Sequence, residues 1–164
     1  MISRIGKTLL TVTLGLYFLL VGYNNIADYD TNFHFVEHVL SMDSIPADSN
    51  VQWRAIHSVP LHHLAYWVII VWELTSGILC AGGALALFRE LRSPERFQRS
   101  AAVAITGLWL GLLLWALAFI TVGGEWFMMW ESSMWNGETA ALRMFILTAV
   151  ALLFFYIPGS LSQH

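Results

Sequence analysis

The hydrophobic positions along this chain fall into four long runs, which polar segments separate. Each run has roughly 20 apolar residues, the length that carries an α-helix across the hydrocarbon core of a bilayer. The runs cover about residues 5–27, 64–88, 101–122 and 140–157. Within them charge is rare, and Pro158 with Gly159 is expected to end the fourth run. The pattern therefore predicts four transmembrane helices.

In the first long connecting segment the apolar spacing changes to that of a short amphipathic helix. Phe33, Val36 and Leu40 recur at helical spacing, and polar residues take the opposite face. A second short helix is expected between about residue 49 and a bend at Pro60. Both helices should lie at the membrane surface or against the spans.

These elements predict an all-α fold. The expected architecture is a four-transmembrane-helix bundle with short amphipathic surface helices in the outer loops, forming one domain over residues 1–164. Neighbouring spans should be antiparallel, because each connection returns the chain across the membrane. The connections are two outer loops and one cytoplasmic loop, at residues 28–63, 123–139 and 89–100.

Composition supports a membrane protein. Hydrophobic residues make up 57% of the chain and charged residues 12%, whereas a soluble protein of this size needs far more charge to cover its surface. The same numbers exclude a disordered chain, a coiled coil and a basic nucleic-acid binder. The single cysteine, Cys80, excludes an intramolecular disulfide and a cysteine-rich metal cluster.

The basic residues predict how the bundle is oriented. Six of the eight fall on one side of the predicted spans: Arg4, Lys7, Arg89, Arg92, Arg96 and Arg99. Loops rich in lysine and arginine stay cytoplasmic, so we expect both termini and the arginine-rich loop in the cytoplasm. No small-x-small cleavage site follows the first run, which favours an uncleaved signal-anchor helix.

Glu73 lies well inside the second predicted span. An ionised carboxylate there costs at least about 3 kcal/mol, so such a residue faces the bundle interior and is neutral or paired. Arg143, near the start of the fourth span, is the cation that enters from the same side. Three interpretations stay open for Glu73: a structural interhelical hydrogen bond, proton or cation coupling or ligand contact, and a chance lipid-facing position.

Histidines in the first outer loop suggest a metal site. His34 and His38 are four residues apart, so both rings can reach one metal ion from a helix. Glu37, Asp43 or Asp48 can add a third ligand. The same spacing also suits an ordinary interfacial helix. No histidine lies inside a predicted span, which argues against a b-type haem.

The outer loops are acidic and rich in tryptophan. Eight of the eleven acidic residues lie in them. Trp126 and Trp130 are four apart and are expected to stack on one helical face. With Trp53 and Glu37 they are candidate contacts for a protein partner. Tryptophans here also fit an interfacial aromatic belt or a platform for a quinone headgroup.

Several of these residues carry a resemblance to a known family. They are Asn24-Asn25, Asp28-Tyr29, Asn32, the stretch FVEHVLSMD at 35–43, WRAI at 53–56, and Glu73. Together they resemble a bacterial family of predicted small integral membrane proteins, domain of unknown function 2165, over essentially the whole chain. The resemblance implies four helices in a bacterial cytoplasmic (inner) membrane. It implies no activity.

The functional expectations follow from what the chain contains. Motifs of hydrolases, NTPases, zinc proteases and thiol enzymes are absent from the sequence, so we expect no enzyme. The first hypothesis is an accessory or scaffold subunit that docks a larger membrane complex through its outer loops. The alternatives are a small ion-coupled transporter that uses Glu73, as a homo-oligomer, and an outer-face redox accessory that binds metal or quinone. No cofactor is assigned, although lipid or quinone would suit the chain.

Overall fold

The computed structural model describes residues 1–157, and that part of the chain is helical without strands. Its α-helices are α1 (Ile2–Ala27), α2 (Tyr29–Ser41), α3 (Val59–Arg89), α4 (Pro94–Leu113) and α5 (Glu138–Tyr156). A π-helix over Leu114–Trp126, here called the π segment, continues α4. Single 3₁₀ turns lie at Gln52–Arg54 and Met129–Glu131. The expected stop at Pro158 and Gly159 lies outside the described residues.

Four of these helices are long and apolar enough to cross a membrane: α1, α3, α4 with the π segment, and α5. This confirms the all-α class and the predicted number of transmembrane helices. Pro94 begins α4, and Pro60 lies in the first turn of α3. Proline is tolerated in a first helical turn, where its missing N–H would have no partner in any case. Pro60 therefore starts a helix where the sequence suggested a bend.

Close packing around α3 holds the bundle together at one end. Gly83 lies against the backbone of Ala104, and Gly107 lies against Cys80. Gly15 of α1 also faces Cys80. These small residues let the backbones of α1, α3 and α4 approach closely, which is how helices associate in lipid.

At the other end of the bundle the connecting segments fold into a cap, which comprises residues 28–58 and 127–137. The cap has its own apolar core, in which Val39, Met42 and Ile45 pack on Phe127 and Met129. A backbone hydrogen bond also joins two parts of the cap: Ile56 N–H donates to the carbonyl of Leu40 at 2.8 Å. The second helix expected between residues 49 and 60 is only the turn at Gln52–Arg54.

The π segment changes how the third span meets α3. Its hydrogen bonds run over five residues, as from Phe127 N–H to the carbonyl of Val122 at 3.0 Å. Trp72 on α3 donates from Nε1 to the carbonyl of Leu110, at 3.0 Å, just before this segment begins. Beyond that bond, towards the cap, a gap lies between α3 and the π segment.

Candidate functional site

Glu73 is buried, with 1% of its surface exposed, and it is hydrogen-bonded to another helix. Asn25 of α1 donates from Nδ2 to Glu73 Oε2 at 2.7 Å. Asn32 of α2 donates in turn to Asn25 Oδ1 at 2.7 Å, and Tyr66 OH donates to the Asn25 carbonyl at 3.2 Å. A network centred on Asn25 therefore joins α1, α2 and α3.

Arg143, the expected partner of Glu73, lies elsewhere. Its side chain is exposed, and it forms no ion pair with Glu73 within 4.0 Å. The sequence missed Asn25 as the partner because α3 begins at Val59 and extends well past the end of α1. Glu73 is consequently level with the last turn of α1, which is where Asn25 is placed.

A cavity of about 200 Å³ adjoins this network. Its polar lining consists of Asn25, Asn32, Tyr66, Glu73 and Trp115. The indole Nε1 of Trp115 is buried and has no hydrogen-bond partner among residues 1–157. This space, here called the Glu73 cavity, thus brings several buried polar groups together, although most of its surface is apolar.

A second, larger space lies beside the Glu73 cavity. This crevice has a volume of about 490 Å³ and an almost wholly apolar lining. Its walls include Val39 and Leu40 of α2, Val68 and Trp72 of α3, and Leu117 and Val122 of the π segment.

The crevice and the Glu73 cavity share four lining residues: Phe35, Val36, Ile69 and Phe119. Among the other lining residues, Leu64, Val68 and Leu117 are each about half exposed, so they mark an open edge of the crevice. These three residues belong to membrane-spanning helices, so this edge faces lipid. The crevice therefore lies between the lipid-facing surface and the Glu73 cavity, from which the four shared side chains separate it.

Helix α2 forms one wall of the crevice, and two aromatic contacts fasten it to α3. The Phe33 ring stacks on His63, with centroids 4.1 Å apart. Tyr29 OH lies 2.8 Å from His63 Nδ1. Burial, and then the charge of Asp30, raises the pKa of Tyr29. Its phenol hence keeps its proton at neutral pH, and its hydroxyl group can donate to Nδ1 or accept from it.

His62, which precedes His63 in the sequence, is buried. Its Nε2 lies 2.7 Å from the carbonyl oxygen of Ile56. Because a carbonyl oxygen only accepts, the imidazole ring donates this hydrogen bond. Its Nδ1 has no hydrogen-bond partner among the described residues, and Glu37 Oε1 is 4.0 Å away. His62 thus connects the start of α3 to the cap, and Glu37 lies beside it.

The residues proposed for a metal site do not converge on one point. His34 Nδ1 lies 3.2 Å from Glu37 Oε2, whereas His38 Nδ1 lies 2.7 Å from Asp43 Oδ2. The His38 ring also stacks on Trp135, with centroids 4.5 Å apart. Within residues 1–157, no three histidine, cysteine or acidic side chains gather as metal ligands would.

The tryptophans in and next to the cap form a different cluster from the one expected. Trp53, 72% exposed, meets Trp126 edge to face at 6.1 Å, and the Arg54 guanidinium lies 4.6 Å from the Trp126 ring. Trp130 is half exposed and does not stack on Trp126. The π segment ends at Trp126, and Met128 then takes a left-handed conformation, φ 55°, which turns the chain.

Comparison with known proteins adds one finding to this geometry. No curated protein and no solved structure matches the chain. A family model does match, over residues 3–158, and its description is "predicted small integral membrane protein". The match takes in all four membrane-length helices, the cap and Glu73. The chain belongs to this family of small integral membrane proteins, DUF2165.

Proposed function

We propose that this integral membrane protein binds a lipid-soluble amphipathic molecule, whose apolar part occupies the crevice and whose polar end reaches the Glu73 cavity. The observation that supports this proposal is the adjacency of the two spaces. An apolar crevice with a lipid-facing edge adjoins a compartment that holds a buried carboxyl group.

The size and lining of the crevice fit this role. Small-molecule sites are mostly apolar clefts of roughly 300–1,000 Å³ in which a few polar groups fix the orientation of the ligand. The crevice has about 490 Å³ and is apolar. The polar groups that a ligand would need are concentrated in the Glu73 cavity.

Selectivity must come from the polar end of the ligand. Lipid tails are as apolar as leucine side chains, so a chain that moves from lipid into the crevice gains little hydrophobic free energy. Hydrogen bonds formed inside the bundle are what can distinguish one amphipathic molecule from the bulk lipid. Glu73, held by Asn25, is therefore the recognition group in this proposal.

The test fills the crevice without touching Glu73. Ala118 lines the crevice, whereas Ala102, on the same span, is exposed. Each is replaced by phenylalanine, and the molecules that stay with the purified protein in a mild detergent are identified by mass spectrometry. We expect one species enriched over bulk lipid in the wild type and in Ala102→Phe. Ala118→Phe should retain about tenfold less, the effect of roughly 1.4 kcal/mol.

Two results would contradict the proposal. One is a wild-type protein that carries only bulk lipid in bulk proportions. The other is an enriched species that Ala118→Phe retains as well as Ala102→Phe does. Size-exclusion profiles of both variants confirm that they are folded, so that a loss of ligand is not mistaken for a loss of structure.

A second candidate function, docking of a protein partner through the cap, has its own supporting observation. Trp53 and Met134 are 72% and 75% exposed, although the cap has an apolar core that could bury such residues. The protein would then be an accessory subunit of a larger membrane assembly. Extraction from native membranes should yield that assembly, and Trp53→Ala with Met134→Ala should release it. A free monomer or homo-oligomer from the wild type would count against docking.

A further inference from the structure

Two hydrogen-bonding groups in the Glu73 cavity lack partners among residues 1–157. Glu73 Oε2 accepts from Asn25, but no donor is found for Oε1. Trp115 Nε1, on the π segment, is a donor with no acceptor, and the residue is only 6% exposed. Both side chains line the same small space. When the Glu73 carboxyl group is ionised, the cavity therefore offers one acceptor and one donor to an incoming group.

An acceptor and a donor in the same cavity favour some chemical groups over others. A hydroxyl both donates and accepts, so it can satisfy Glu73 and Trp115 together. An ether or ketone oxygen only accepts, and an ammonium group only donates, so each leaves one buried group unpaired. A carboxylate would bring a second negative charge beside Glu73, where a shared apolar environment makes like charges costly.

The shape of the site also limits the chain that carries the hydroxyl. Between the crevice and the Glu73 cavity lie four bulky side chains, Phe35, Val36, Ile69 and Phe119. A thin aliphatic chain needs less separation of these side chains than a substituted ring does. The crevice on the far side is apolar and opens to lipid, as an aliphatic tail requires.

We infer that the ligand of this site is a long-chain aliphatic alcohol, which donates its hydroxyl proton to Glu73 Oε1 and accepts a hydrogen bond from Trp115 Nε1. Its chain lies in the crevice. The inference rests on the proposed function and names the chemical class of the ligand. No covalent step is involved.

The experiment compares three probes that share one chain length. Radiolabelled 1-dodecanol is bound to the protein in phosphatidylcholine nanodiscs, with empty nanodiscs as the baseline, and unlabelled dodecyl methyl ether and dodecane compete. One hydrogen bond to a charged group changes affinity by roughly ten- to a hundredfold. We therefore expect the ether and dodecane to compete at least about tenfold more weakly than unlabelled 1-dodecanol.

Two substitutions test the two hydrogen bonds. Trp115→Phe removes the indole N–H and keeps an aromatic ring, and Glu73→Leu removes the acceptor. Each should weaken 1-dodecanol binding about tenfold and leave the inhibition constant of dodecane unchanged. The matched control is Trp109→Phe, because Trp109 is partly exposed on the same span outside the cavity. If Glu73→Leu does not fold, Trp115→Phe still tests the hydrogen bond to the ligand hydroxyl group.

The outcomes separate this inference from the proposed function. Equal affinity for all three probes, abolished together by Ala118→Phe, would overturn the alcohol and leave the crevice as a binding site. No saturable binding of any probe would overturn both. Stronger competition by decylubiquinol than by 1-dodecanol would overturn the aliphatic chain and indicate a quinol.

Discussion

Asn25 is the residue on which the candidate site depends most. One buried side chain donates to Glu73 on α3 and accepts from Asn32 on α2, both at 2.7 Å. A buried polar group that loses its hydrogen-bond partner is costly. Asn25 thus stabilises the carboxyl group and the junction of three helices at once.

Substitution of Asn25 should destabilise the protein. Asn25→Leu removes both side-chain hydrogen bonds and leaves Glu73 in an apolar surrounding, so we expect the free energy of unfolding to fall by roughly 2 kcal/mol. Thermal unfolding in detergent, followed by circular dichroism, measures the effect. The matched control is Asn24→Leu, since Asn24 is exposed and should tolerate the change. Equal melting temperatures for the two variants would contradict a structural role for Asn25.

At this scale the sequence identifies Glu73 but not its environment. A carboxyl group inside an apolar run stands out in any hydropathy pattern, and burial of Glu73 follows from the cost of exposing it to lipid. Its partner depends on how far α3 rises past the end of α1, which no local pattern contains. Arg143 was the electrostatically obvious choice, yet it is exposed and Asn25 is in contact.

At the scale of the helices, packing of small residues at one end of the bundle complements the crevice at the other. A Cβ at Gly83 would collide with the backbone of Ala104, so α3 and α4 are already as close as backbones permit. Nearer the cap, the π segment lies apart from α3, and the crevice occupies the gap. One end of this helix pair thus holds the bundle together, and the other end, nearer the cap, forms the crevice.

Two adjacent glycines on α3 test this close packing. Gly83→Ala should lower the free energy of unfolding by about 1–3 kcal/mol, the cost of overpacking a tight contact. Gly82→Ala should leave it unchanged or slightly higher, because nothing lies within 4 Å of an added Cβ there and alanine is the better helix former. Thermal unfolding of both variants decides. The interpretation is wrong if Gly82→Ala is the more harmful of the two.

The attachment of α2 to α3 makes a separate prediction. His63→Ala removes the stacking partner of Phe33 and the hydrogen-bond partner of Tyr29, contacts worth roughly 1–3 kcal/mol together. Amide hydrogen exchange across α2 should then be about tenfold faster, as a loss of roughly 1.4 kcal/mol would produce. His57→Ala is the control, since His57 is exposed. Unchanged exchange in His63→Ala would show that other contacts hold α2.

The helices themselves were predictable, and two of their local features were not. Apolar runs of membrane length gave the four spans, and helical spacing gave α2. The π segment has no signature of its own, because Leu114–Trp126 would suit an α-helix equally well. The expected stack of Trp126 on Trp130 does not form, because the left-handed conformation of Met128 turns the chain between the two residues.

At the scale of the whole molecule, charge separates the two ends of the bundle. The cap contains most of the acidic residues, whereas the start of α1, the end of α3 and the start of α4 contain most of the basic ones. At the basic end, a hydrogen bond from Arg4 to the carbonyl of Leu91 joins the start of α1 to the connection between α3 and α4. The positive-inside rule then predicts a cytoplasmic basic end and an external cap.

This orientation can be measured with little background, because the single native cysteine, Cys80, is buried. Ala47→Cys places an exposed thiol in the cap, and Ser3→Cys places one at the basic end. On intact spheroplasts a membrane-impermeant maleimide should label Ala47→Cys at once and Ser3→Cys only after the membrane is permeabilised. The unsubstituted protein should stay unlabelled in both conditions. Reversal of the two patterns would place the cap in the cytoplasm. The crevice would then open into the cytoplasmic leaflet, and its ligand would have to come from there.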